Sequence, residues 1–86
     1  MYGVEFSKQA IKDIKNLKQV GLGTKAKRLV EVIKKNPYEN PPPHEKLVGN
    51  MQGFISRRLN IQHRMVYKVL EEEMQVKIYR MWTHYE

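Results

Sequence analysis

The strongest constraint on the fold is a change of hydrophobic period across one proline-rich segment, NPYENPPPHE at residues 36–45. Before it, apolar residues recur three and four apart: Ala10, Ile11, Ile14 and Leu17, then Ala26, Leu29, Val30 and Ile33. That spacing lays one apolar stripe along a helix. After it the period falls to two, in the runs GFISRRLN (53–60), RMVYKVL (64–70) and QVKIYRMW (75–82), as strands require. Proline lacks an amide donor and biases its predecessor away from helical geometry. The segment therefore cannot prolong a helix, and it reads as an ordered surface loop returning the chain to a sheet.

Local signals complete the layout. MYGVEFS alternates Tyr2, Val4 and Phe6 to one side, a short strand. Ser7 is placed to cap the first helix, and Thr24, after the break GLGT, to cap the second. Lys8, Lys12, Lys15 and Lys18 face away from the stripe of the first helix. The links IQH and EEEM between the last runs are short, so the sequential strands predict an antiparallel meander, and the triple glutamate reads as a solvated turn. The expected fold is α+β: two N-terminal helices on a twisted antiparallel sheet in the order β-α-α-β-β-β, with one more short strand near Lys46–Val48. Eighty-six residues suit a single domain spanning 1–86.

Charge is unevenly placed. The chain carries a net +7, from 16 Lys and Arg against 9 Asp and Glu. Residues 7–35 hold nine cations against Asp13 and Glu31, 9 − 2 = +7, and the remainder, seven of each sign, is neutral. A concentrated positive excess is the footprint of a polyanionic partner such as RNA, and equally of a solubilising lysine coat. Cysteine is absent, which excludes disulfides and thiolate metal sites and fits a reducing compartment. No apolar run approaches a membrane span and no signal-like start is present, so the expected location is the cytosol.

Strand parity sorts the candidate chemistry. In the middle run Met65, Tyr67 and Val69 point one way, and Arg64, Val66, Lys68 and Leu70 the other. If the first set packs on the helices, Arg64 lies on the open face, provided bulges do not break the alternation. Arg57 and Arg58 are adjacent and so point oppositely; at most one joins Arg64, and the other is expected in solvent. Metal-free cleavage of RNA needs a base for the 2′-hydroxyl, a cationic clamp for the phosphoryl oxygens and an acid for the leaving oxygen. Glu45, the arginines Arg57, Arg58, Arg64 and Arg80, and His84 are the groups on offer. Each has a plainer reading: Glu45 as a solvated loop carboxylate, Arg64 as a surface ion pair, His84 as a terminal cap. His44 and His63 read as ordinary polar residues and Trp82 as core. Nothing has metal-ligand spacing, and no cofactor is expected.

The segments Gly53-Phe54, Ser56-Arg57-Arg58, His63-Arg64, Val66-Tyr67 and His84-Tyr85, with Glu45 ahead of Leu47 and Asn50, resemble the YoeB/Txe family of bacterial toxins within the RelE/ParE superfamily. The C-terminal half carries the match, and the N-terminal half agrees in length and layout. The resemblance implies a fold like that of small microbial ribonucleases and a ribosome-dependent endoribonuclease, an mRNA interferase that cleaves mRNA in the A site. It implies a YefM/Axe-like antitoxin as partner, ribosomal RNA as docking surface, and pairing as a homodimer. By motif position Glu45 matches the general base, Arg64 the transition-state clamp and His84 the general acid. Arg58 matches a second arginine near the scissile phosphate, and Tyr85 an aromatic that positions substrate. Many relatives carry a lysine where this chain has Val48; Lys46 is the nearby substitute, one side-chain period off. Glu86 extends one residue past the tyrosine at which many relatives stop. The competing readings are a gyrase-directed ParE-like toxin without nuclease activity, and a plain RNA-binding module.

Overall fold

The structure, a computed structural model, describes residues 1–40, 43–60 and 63–84, the last three by backbone only. Its elements are β1 (Gly3–Phe6), α1 (Lys8–Gln19), α2 (Gly23–Lys35), β2 (His44–Lys46), β3 (Phe54–Arg58), β4 (His63–Leu70) and β5 (Gln75–His84), with 3-10 turns at Gly49–Met51 and Glu71–Glu73. Tyr85 lies outside the described residues, as does the side chain of Trp82, which the sequence assigned to the core.

Ser7 starts α1 as expected: its backbone is extended and its hydroxyl accepts from Ala10 N at 3.0 Å, satisfying an amide that the first turn leaves open. The second cap differs. Gly21 adopts φ +79°, and Leu22 N donates back to Leu17 O at 2.8 Å, the glycine-dependent closure of a helix end. That closure brings α2 in at Gly23, with Leu22 at the cap and no side-chain cap bond, so Thr24 already lies in the first turn. The stripe of α2 is as read, with Ala26, Leu29 and Ile33 buried and Val30 packed against them. On α1 the buried line runs Ala10, Asp13, Leu17, and Ile11 is 51% exposed. The stripe is thus rotated toward a carboxylate that hydrophobic periodicity cannot see.

The sheet order is β1-β5-β4-β3-β2. From β2 to β5 the strands form the expected antiparallel meander, and the additional short strand lies at His44–Lys46, slightly earlier than anticipated. The sheet is mixed rather than antiparallel throughout, because β1 pairs in parallel with β5, Val4 opposite Val76. The helical hairpin carries the chain to the far edge, and four antiparallel strands return it alongside β1 in the same direction. Ile55, Met65, Tyr67, Val76, Ile78 and Met81 of the sheet bury against the helices. Among the described residues no helix is long and apolar enough to cross a membrane.

Three polar anchors complete this layer. The arginine that does not join Arg64 is Arg57, and it is 1% exposed rather than in solvent. Its Nε donates to Tyr67 Oη at 2.9 Å and its Nη2 to Pro37 O at 3.1 Å, while Tyr67 Oη donates to the same carbonyl at 2.6 Å. The guanidinium is tolerable on the core face because the start of the proline loop supplies its acceptor. The Glu71 carboxylate, read as merely solvated, accepts from the hydroxyls of Tyr2 and Tyr38. Burial and that carboxylate push the Tyr38 phenol up to about 12, so it remains a donor through the neutral range.

The second helix-side anchor is Asp13. Its Oδ2 accepts from Met81 N at 2.9 Å and Arg80 Nε at 3.1 Å, and its Oδ1 from Gln9 Nε2 at 3.0 Å. The β4–β5 register slips twice, between Arg64 and Val66 and between Val66 and Tyr67. Those bulges switch parity, so that Ile78 and Met81, three apart, both face the core. Replacing Asp13 by Ala should lower stability by about 3 kcal/mol, since it strands a buried amide and removes a charged pair. Asp13→Asn, which keeps one acceptor, should cost less. Urea unfolding checks both, and equal, small losses would contradict the anchoring role.

Candidate active site

Strand pairing assembles a cluster on the face away from the helices. Glu45 lies directly opposite Ser56, and Ser56 opposite Val66 on its other side. Arg58 pairs with Arg64. Residues directly opposite share a face and approach closely, so a carboxylate, a hydroxyl and two guanidinium groups from three strands meet. The Arg64 Nη1 donates to Glu45 Oε2 at 3.1 Å and to Ser56 Oγ at 3.3 Å. Arg58 completes the cleft, which Pro43 and His44 border.

The burial of this group is graded. The Arg64 side chain is 8% exposed and its Glu45 partner 58%, so the cation is embedded and its counter-charge reaches into solvent. A guanidinium with little water around it acts on a nearby anion through a lower effective dielectric than a surface cation. Ser56 is itself buried, and its hydroxyl steadies the Arg64 fork from below. His44, on β2 opposite Arg57, titrates below the ordinary histidine range because burial, then Arg57 and Lys46, disfavour its cation. It borders the cleft as a neutral imidazole at pH 7.

The C-terminal strand ends beside this cluster. The backbone of Thr83 is opposite Arg64, and that of His84 opposite His63. The backbone of His84 is therefore adjacent to the Arg64 end of β4, three residues beyond the Asp13 anchor at Met81.

Of the six residues singled out from the sequence, Glu45, Arg64 and Arg58 converge, and His84 reaches the same end of the sheet through its backbone. Lys46 does not join them. It pairs with Ile55 on the opposite pleat from Glu45 and lines a separate depression with Tyr38, Leu47 and Val48. Ser56 is the residue that sequence reasoning passed over. Its parity with Arg58 was available, but a serine in a strand gives no sign of its partner until Arg64 is seen against it.

The sequence profile of the YoeB-like toxins of bacterial type II toxin–antitoxin systems matches residues 6–85. The Toxin YoeB of Synechocystis sp. is 32% identical over 62 residues, 72% of this chain and 65% of that protein. The Toxin YoeB of Escherichia coli K12 is 34% identical over 50 residues, 58% of this chain and 60% of that protein. The chain thus matches 60–65% of the length of these curated relatives. In three dimensions it resembles the YoeB of the heterotetrameric YoeB–YefM complex from Staphylococcus aureus, with TM-score 0.82 and 34% identity over 99% of both chains. A YoeB/ParE toxin from Agrobacterium tumefaciens, 24% identical over 96% of this chain and 99% of that one, has the same fold at TM-score 0.87. With the profile covering nearly its whole length, the chain belongs to the YoeB-like toxins of bacterial type II toxin–antitoxin systems.

Proposed function

We propose that this toxin is an endoribonuclease that cleaves mRNA in the ribosomal A site by general acid–base catalysis. The observation that carries the reading is the contact of Glu45 with Arg64, 3.1 Å apart on the open sheet face, at the end where the His84 backbone arrives. Glu45 accepts the proton of the ribose 2′-hydroxyl. The freed oxygen bonds to the adjacent phosphorus, and the bond from phosphorus to the 5′-oxygen breaks. His84 donates a proton to that leaving oxygen, and the products are a 2′,3′-cyclic phosphate and a free 5′-hydroxyl. Arg64 and Arg58 hold the phosphoryl oxygens by charge-assisted hydrogen bonds. Tyr85 positions the substrate.

The ion pair has a consequence for the cycle. In the free protein the base and the clamp satisfy one another. A phosphate that takes the donors of Arg64 releases the Glu45 carboxylate toward the neighbouring 2′-hydroxyl, so substrate binding itself uncovers the base. Lys46, on the other pleat, has no place at the reacting centre.

The partners follow from the family and the charge. The lysine-rich helices, with nine cations between residues 7 and 35, supply phosphate contacts to ribosomal RNA. A YefM/Axe-like antitoxin neutralises the toxin, and pairing of two copies is supported by a solved YoeB dimer from Staphylococcus aureus, 34% identical over 98% of both chains.

His84→Gln should lower mRNA cleavage on ribosomes by about 10²–10⁴-fold, the worth of a positioned general acid, with ribosome binding retained. Toeprinting of the wild type and variant reads this directly. Undiminished cleavage would remove His84 from the mechanism, and translation arrest with no cleavage by the wild type would remove the ribonuclease. Ribosome affinity should fall steeply with salt, by close to one log–log unit for each phosphate neutralised. An affinity that stays flat from low to physiological salt would exclude docking through the lysines.

A further inference from the structure

The open sheet face continues past the reacting centre, and its other half carries a different set of groups. Phe54 of β3 and Tyr79 of β5 meet edge to face, with centroids 5.1 Å apart and planes at 72°. Lys68 Nζ lies 5.6 Å from the centre of the Phe54 ring, and Lys77 Nζ lies 5.3 Å from that of Tyr79. Val66, which strand parity puts on this same face of β4, is buried without belonging to the helix-side core. None of these four aromatic and basic side chains is used in the proposed chemistry.

One feature of their placement runs against sheet stability. Lys68 is directly opposite Lys77, and Arg58 directly opposite Arg64. Like charges in facing positions destabilise a sheet, and a local rule broken twice on one face marks a surface shaped for something other than folding. Along β3 the open-face positions Phe54, Ser56 and Arg58 step about 7 Å apart, so the two like-charged pairs are the ends of one positive track with aromatic rings at the far end. Glu5, whose carboxylate is 4.0 Å from Lys77 Nζ, is the acidic boundary of the track at the β1 edge.

We propose that Phe54, Tyr79, Lys68 and Lys77 form an extended subsite for single-stranded RNA, binding nucleotides beside the one that is cleaved. The inference rests on the ribonuclease reading for its register, because the track is continuous with the Glu45–Arg64 cleft. The chemistry fits this ligand: unstacked bases are recognised by stacking on aromatic faces, and the backbone between them by lysines. In the free protein an ammonium covers each ring. Stacking a base is worth more than an exposed cation–π contact, so a base displaces the lysine, whose flexible stem then carries the charge to a phosphate. A base-paired duplex offers no free base to these rings, which commits the site to single strands.

The test uses fluorescence anisotropy with non-cleavable 2′-O-methyl RNA, a hexanucleotide and a dinucleotide. The wild-type chain should bind the hexanucleotide at least about tenfold more tightly, the lower range of base–aromatic stacking for one or two bases. The double variant Phe54→Leu/Tyr79→Leu should bind both lengths alike. Equal binding of the two lengths by the wild type, retention of the difference by a folded double variant, or equal competition by duplex RNA would each overturn the proposal. Should the double variant not fold, Lys68→Gln/Lys77→Gln decides: it should reduce the log–log salt slope for the hexanucleotide by about 1.4, at 0.7 per phosphate contact on a single strand, and an unchanged slope refutes the site. In ribosomal cleavage the same lysine variant should raise the half-saturating concentration and leave the maximal rate unchanged. Absence of any cleavage by the wild type sinks the ribonuclease reading alone, since the length comparison is read without turnover.

Discussion

Asp13 sits fully buried between α1 and β5, where its Oδ2 takes the amide of Met81 and the Nε of Arg80. Neither partner would be comfortable without the other. A carboxylate at that depth needs donors, and a strand whose register slips twice within a few residues has amides that its neighbour no longer takes. The slip and the carboxylate answer one another, and the result fixes the height at which β5 continues. Thr83 and His84 then fall opposite Arg64 and His63. The backbone position of His84 relative to Arg64 is therefore set from the helix layer, on the side of the sheet away from Glu45 and Arg64.

The sheet acts as a partition between two kinds of polar burial. On the helix side, Arg57 is closed in by Tyr67 and the Pro37 carbonyl, a fixed arrangement that ties down the loop leading to Glu45. On the other side, Arg64 is nearly as covered along its stem, yet its partner is a carboxylate more than half exposed. Buried ion pairs seldom stabilise a fold in proportion to their desolvation cost. The Glu45–Arg64 pair is open at one end, so an incoming anion can replace the carboxylate without the guanidinium ever losing a counter-charge. Two adjacent arginines in one strand thus differ in setting: Arg57 is enclosed in the scaffold and Arg58 borders the open cleft.

Most of the scaffold was legible because it depends on local periods. The switch from helical to alternating spacing located both helices and the last three strands, Ser7 announced its cap, and parity separated Arg64 from Met65 and Tyr67. What escaped, apart from the cap of the second helix, were features whose partners are distant in the chain. Asp13 breaks the apolar stripe of α1 and is explained only by an amide 68 residues away. Arg57 is buried against remote groups, the Tyr67 hydroxyl and a loop carbonyl 20 residues before it. The parallel pairing of β1 with β5 is decided by where the helical hairpin sets the chain down, which no strand pattern encodes. Ser56 was visible as a letter in a motif, but its role is a distance to a side chain on another strand.

The open face carries charge repulsion of its own, although the net positive excess of the chain lies in residues 7–35. Its two like-charged cross-strand pairs, Arg58 with Arg64 and Lys68 with Lys77, are each relieved locally: the first by Glu45 and Ser56, the second by Glu5 and two aromatic rings. Of these relieving groups the two carboxylates, Glu45 and Glu5, are ones whose place a phosphate can take. A surface designed only for stability would alternate its signs. Here the sheet tolerates repulsion in the free state, which is what the proposed RNA track requires of it.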